Sequence, residues 1–174
     1  MKFDFPQVDL PCEILAWNDV TEDILNIYKQ SCRLKAGIFA ICTEGKMTAT
    51  INLIDYEIKP NDLITLLPGT IIQFRERTEK VRLCFAGFSS ECVERINLIK
   101  SMVSSFSKIT ECPIVELQED IASYLIDYFS LLARVTCNEK LSLPSEMTEV
   151  SLRSILTAVG LIYQRYSSKN HNTN

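Results

Sequence analysis

Residues 37 to 74 read GIFAICTEGKMTATINLIDYEIKPNDLITLLPGTIIQF, three strand-like segments divided at Glu44-Gly45, at Lys59-Pro60-Asn61-Asp62 and at Pro68-Gly69. Few folds accommodate such a run. In the first segment apolar residues occupy both alternations, Ile38, Ala40 and Cys42 on one side and Phe39 and Ile41 on the other, the pattern of a strand covered on both faces. The second segment alternates, with Met47, Ala49, Ile51 and Leu53 pointing one way and Thr48, Thr50 and Asn52 the other. Glycine in the short connection makes the two a hairpin. Pro60 presets φ and Asn61 tolerates a left-handed backbone, so a tight turn leads into a buried strand over 63–67. Segments 70–75 and 80–88 add a further pair. Short strands at close, regular spacing specify an antiparallel barrel or sandwich rather than an α/β fold.

Beyond Ser89 the apolar period changes from two to about three and a half, and the chain is expected to be helical. Ser89 or Ser90 is a plausible N-cap, with Glu91 and Glu94 in the first turn, leading into Val93, Ile96, Leu98, Ile99 and Met102. A helix over 118–138 aligns Ile121, Leu125, Tyr128, Phe129, Leu132 and Val135 on one face. A last helix over 145–166 carries Leu152, Ile155, Leu156, Val159, Ile162, Tyr163 and Tyr166 on its own stripe. The expected fold class is α+β: an antiparallel barrel over 1–88, a helical hairpin within 89–168, and a polar, mobile tail over 169–174. A hairpin with two apolar stripes carries more such surface than a barrel flank is expected to cover. The stripe of the last helix is therefore the expected face of a two-fold homodimer.

Composition removes several functions. Acidic residues outnumber basic ones, 22 to 18, with no cationic run, so this segment is not expected to grip nucleic acid. No segment approaches the ~18 consecutive apolar residues of a membrane span, and the start of the chain lacks a secretory signal pattern, so a cytoplasmic location is expected. Seven cysteines, odd in number and without a C-x-x-C pair, read as free and mostly buried thiols. The single His171 stands in the tail, so Ser-His and Cys-His catalysis and a zinc site lose their usual ligand. Glu44, Asp55, Glu57 and Asp62 fall at turns and strand ends, where solvated surface is the expected role.

The phrases CTEGKMTATINLIDYEIKPNDLITLLPGTIIQF and VRLCFAGFSSECVERI resemble the N-terminal cupin-type domain of AraC-family transcription regulators. Tyr56, Ile58, Pro60, Asn61, Asp62 and Leu63 match one family phrase, and Leu67, Pro68, Gly69 and Thr70 another. The resemblance implies a cupin-like β-barrel or jelly roll followed by a C-terminal helical hairpin, and a regulatory domain that senses a small molecule and dimerises. Family members continue into helix-turn-helix motifs, whereas the residues after Tyr166 are too few to form one. DNA contact is thus expected only through a domain absent from this sequence. Catalytic cupins take their metal from His and Glu on adjacent strands; here Thr50, Ile51, Asn52 and Ile72 occupy the corresponding places, and neither metal nor other cofactor is expected.

A non-enzymatic sensor is therefore the leading expectation, with Phe39, Ile41, Met47, Ile51, Ile72, Phe74, Leu83 and Phe85 lining the barrel interior around a sugar or related metabolite. The alternatives are a metal-independent cupin enzyme, such as a sugar isomerase, and an interaction module without a ligand. An isomerase requires a polar cluster inside the barrel.

Overall fold

The computed structural model describes residues 4–17, 26, 28–77, 80–97, 103–136 and 143–171. Among these, ten strands form two five-stranded sheets and four helices follow, an α+β fold of the expected class. The first sheet has the order β1 (Gln7–Val8), β3 (Cys32–Leu34), β8 (Ile71–Arg77), β5 (Met47–Ile51), β6 (Ile54–Ile58). The second has the order β10 (Ile114–Glu116), β7 (Asp62–Leu66), β4 (Gly37–Glu44), β9 (Arg82–Phe88), β2 (Ile14–Trp17). All pairings are antiparallel except β1 with β3.

Alternation sorts the side chains of the second sheet into two cores. Ile38, Ala40, Cys42, Ile64, Leu66, Leu83 and Phe85 meet Cys32, Leu34, Met47, Ala49, Ile51, Ile58 and Ile72 of the first sheet. The opposite alternation, Phe39, Ile41, Leu63, Cys84, Ala86 and Phe88, packs under the helices. The molecule thus has three layers: sheet, sheet, helices. That arrangement explains why β4 is apolar on both alternations, since it lies in the middle layer.

The helices α1 (Ser90–Arg95), α2 (Val103–Glu111), α3 (Glu119–Thr136) and α4 (Ser145–His171) cover the outer face of the second sheet. Ser89 is the N-cap of α1, its hydroxyl accepting a hydrogen bond from Cys92 N at 3.3 Å. Leu98, Ile99 and Met102, expected to continue this helix, lie outside the described residues. α3 packs on β2 and β9, and α4 packs against α2. The last helix runs on to His171, past the end that its apolar period suggests.

One element departs from the alternating pattern. Strand β5 ends at Ile51, and Asn52 (φ 50°) and Leu53 (φ 70°) form a two-residue turn with both central residues left-handed. The side chain of Asn52 accepts a hydrogen bond from Ile71 N at 3.0 Å, and its own N–H donates to Ile71 O at 2.8 Å. Leu53, expected to point inward with Met47, Ala49 and Ile51, is instead 70% exposed. Local side-chain bonding at Asn52 overrode the apolar period.

Candidate functional site

The side chains between the sheets do not fill the space available. Small residues, Ala36, Ala40, Ala49 and Cys42, recur among the inward positions, and an apolar cavity of about 240 Å³ remains. Its wall is built from β4 (Ile38, Ala40), β7 (Ile64, Leu66), β8 (Ile72, Phe74) and β9 (Leu83, Phe85), with Leu15 and Leu34 beside them. Tyr28 packs edge-on against Phe74, with ring centroids 5.6 Å apart, and burial pushes its phenol pKa up. Among the described residues, Asp9 is the only charged one on the wall.

One end of the cavity is crossed by the segment Val8, Asp9, Leu10 and Pro11. Parallel pairing to β3 holds this strap: Arg33 N donates to Pro6 O and Lys35 N to Val8 O, each at 2.8 Å. Leu10 rests against Gly87, where an added Cβ would stand 2.9 Å from Leu10 Cδ1 and push the end of that side chain aside. Asp9 then fastens the strap to the helical layer. Its carboxylate accepts hydrogen bonds from Ser90 N at 3.1 Å, from the Ser90 hydroxyl, and from Leu10 N at 2.8 Å. Partial burial pushes the Asp9 pKa up, but these bonds and the charge of Lys35 outweigh it and hold the carboxyl below its ordinary value.

From Ser90 the contact path continues along α1 to Arg95. Its Nη1 lies 2.6 Å from Glu13 Oε1 and 3.7 Å from Glu91, and its Nε lies 2.9 Å from Glu149 Oε1 on α4. The hydroxyl of Ser145, the first residue of α4, also donates to Glu13 at 3.2 Å. The hydrogen bond from Arg95 holds Glu13 below the usual carboxylate range. Strap, α1 and the start of α4 are thus joined by polar contacts through two residues, Ser90 and Arg95.

The structure separates the residues expected in the barrel interior. Ile72, Phe74, Leu83 and Phe85 stand on the cavity wall. Met47 and Ile51 belong to the same core, away from the cavity. Phe39 and Ile41 are a correction: they face the helices, and their neighbours Ile38 and Ala40 look into the cavity. A strand apolar on both alternations gives no sign of which side is which. The strap residues were not singled out from sequence, because a two-residue strand has no readable period.

The stripe of the last helix is also corrected. Leu152, Ile155 and Val159 are 0% exposed, Leu156 and Tyr163 are buried, and Ile162 is partly buried against the same core. The Tyr163 hydroxyl donates to Cys112 O at 2.6 Å. These side chains are consumed within one chain and are not a free face; the side chain of Tyr166 lies outside the described part. The helical layer covers a whole sheet, which offers more apolar surface than the barrel flank assumed from sequence.

Among the described residues, the carboxylates singled out from sequence do not line the cavity. Asp55 accepts from Thr50 Oγ1 at 2.6 Å and lies 3.6 Å from Arg75, and Glu44 lies 3.5 Å from Arg82. Asp62, expected on the solvated surface, is 3% exposed. Among the described residues no three His, Cys, Asp or Glu side chains are grouped to hold a metal ion. The described cysteines are free, and burial pushes the thiols of Cys42 and Cys84 up to about 11 and about 12; Cys137 lies outside the described residues. No described helix is long and apolar enough to cross a membrane.

Solved structures similar to this chain include an AraC-like regulator. The AraC-like transcriptional activator CuxR matches over 84% of this chain and 47% of its own, at 10% identity and a TM-score of 0.47. ToxT from Vibrio cholerae matches over 73% of this chain and 48% of its own, at 12% identity and a TM-score of 0.41. The chain spans about half the length of these solved chains. No family model matches the sequence, and no curated protein does.

Proposed function

We propose that this chain is the regulatory domain of an AraC-like transcription regulator, binding a small neutral hydrophobic molecule between its sheets and passing that occupancy to its last helix. The observation that carries the reading is the cavity itself. A void of about 240 Å³ exceeds the ~150 Å³ of an apolar cavity that takes up benzene, so a molecule of about two fused rings is a suitable size. The wall offers almost nothing to the hydroxyls of a sugar, whose burial without partners is costly. This replaces the sugar expected from sequence and disfavours a sugar isomerase. Among the described residues the wall carries the carboxylate of Asp9 and no cation, which disfavours an anion.

Binding is proposed to act through the strap. A molecule entering beneath Leu10 bears on Asp9, which holds Ser90, and Arg95 then links α1 to Glu149 of α4. The differential contact is the strap's position with and without the ligand. Homodimerisation remains part of the proposal, with a changed surface: Tyr124 and Leu131 on α3 and Val150 and Leu161 on α4 are exposed apolar residues on the outside of the helical layer. DNA would be reached through a domain outside this sequence.

Naphthalene and glucose test the ligand class. Naphthalene is expected to raise the thermal midpoint and glucose to leave it unchanged, and Ala40→Leu is expected to abolish the naphthalene effect by filling the cavity. Stabilisation by glucose alone, or none by naphthalene, sinks the reading. A strict monomer in sedimentation at micromolar concentration removes the dimer.

A further inference from the structure

Each sheet contributes one phenylalanine to the wall of the cavity between them. Phe74 stands on β8 of the first sheet and Phe85 on β9 of the second. Strand register gives each an alanine on one flank: Ala49 of β5 is paired with Phe74, and Ala40 of β4 with Phe85. Directly paired residues of antiparallel strands set their Cβ atoms about 5 Å apart, so a larger side chain in either place would cover the neighbouring ring. Alanine does not reach it. The other flank of each phenylalanine has an aromatic neighbour. Tyr28, whose carbonyl accepts from Phe74 N at 2.8 Å, packs edge-on against Phe74 with the ring planes at 76°, and Trp17 of β2 is the register partner of Phe85.

An aliphatic wall attracts in proportion to the apolar area it covers and does not tell a flat ring from a saturated one. Most of this wall is of that kind, with Ile38, Ile64 and Leu83 as examples. The phenylalanines add direction. An aromatic ring has a negative face and a positive edge, and it favours a second aromatic ring placed offset or edge-on, with centroids about 4.5–7 Å apart. Sheets packed face to face stand about 10 Å apart, so a flat molecule held between Phe74 and Phe85 has a ring of each sheet within reach.

We propose that the cavity selects aromatic molecules over saturated ones of similar size, and that Phe74 and Phe85 are the residues that set this preference. The proposal rests on the reading above, that the cavity takes up a small neutral hydrophobic molecule, and it narrows the class of that molecule.

Benzene and cyclohexane are the probes, six-carbon rings that differ in their π electrons. The quantity measured is the ratio of their dissociation constants, from saturable amide shifts at Ala40 and Phe85 in NMR of the whole chain. Phe74→Leu and Phe85→Leu should each weaken benzene relative to cyclohexane by about twofold to tenfold, the effect of one aromatic pair. Leu66→Met, a change of the same wall that involves no ring, should move both ligands together. A general loosening of the fold likewise moves both, so the ratio isolates the rings, and where one phenylalanine variant does not fold the other carries the test. Equal weakening of the two ligands overturns the proposal, and so does failure of benzene to saturate up to its solubility limit. If naphthalene nevertheless stabilises the protein, only the aromatic preference falls; if naphthalene has no effect either, the reading of the cavity falls with it.

Discussion

On the helical side of the second sheet, Phe39, Phe88, Phe129 and Tyr163 are each 1% exposed or less, and Phe39 and Phe88 meet edge-on with centroids 6.4 Å apart. On the other side the same strands present Ala40 and Cys42 among larger residues and enclose a cavity. The difference follows from what each side faces. Helices are separate bodies whose distance from a sheet adjusts to the side chains beneath them, so the bulky residues under the two long helices pack closely. Two sheets stand about 10 Å apart, held there by their largest inward residues, and alanine leaves a gap it cannot close. Space for a ligand arises where the backbone is fixed and the side chains are small.

Truncation should expose this contrast most strongly. Phe129→Ala, in the filled layer, is expected to cost about 3–5 kcal/mol in urea denaturation. Phe85→Ala, on the cavity wall, should cost roughly half as much, because one side of the ring already lacks partner atoms. Equal costs would mean that the two sides are packed alike. Enlargement inverts the order: Ala86→Val, on the filled side, is expected to cost about 1–3 kcal/mol through overpacking. Ala40→Val has room for its methyls and should be neutral or gain up to about 1 kcal/mol. A clear loss at Ala40 would break the comparison.

The sequence makes one side of this sheet far more legible than the other. The strands β4 to β9, the Ser89 cap and the two long helices follow from apolar period and turn residues, because those signals are local. Which face of β4 meets the other sheet is not local: it depends on the position of that strand in the second sheet, and Phe39 and Ile38 are equally apolar. The cavity is less visible still, since it is a property of four strands at once. Nor do the strap and its latch show, because Asp9 and Ser90 are 81 residues apart and neither belongs to a recognisable motif. Burial of the α4 stripe was misjudged because an amphipathic helix looks the same whether its partner is its own sheet or another chain.

The rim of the helical layer gives a smaller effect with a distinct signature. Arg95→Ala removes the partner of both Glu13 and Glu149. Glu13 has a folded pKa below its ordinary value of 4.5, so its contribution is present above that value and is lost as pH falls through the folded pKa. Arg95→Ala should therefore lower the thermal midpoint at pH 7 and flatten the acid limb below about pH 4.5. Added salt should narrow the difference, since these side chains are about a third exposed. A midpoint deficit that stays constant as the pH falls through the acid limb would assign the loss to packing of the arginine stem.

The smallest effect concerns Asp62, at the end of β7 on the side facing the first sheet. Burial raises its pKa, against the hydrogen bond that Lys59 N donates to Oδ2 at 2.9 Å. The sign is opposite to that of Glu13. A folded pKa above the unfolded one gives a contribution that is full below the unfolded value of 3.8 and is lost as pH rises through the folded one. Asp62→Asn keeps an oxygen to accept from Lys59 N and removes the buried charge, so at pH 7 it should change stability by less than about 1 kcal/mol, toward the stable side. At pH 3, where the wild-type carboxyl is protonated in the fold, that small gain should vanish. A loss of more than about 2 kcal/mol at pH 7 would mean that the charge is compensated by a buried partner, and that this side of the sheet is better satisfied than its cavity suggests.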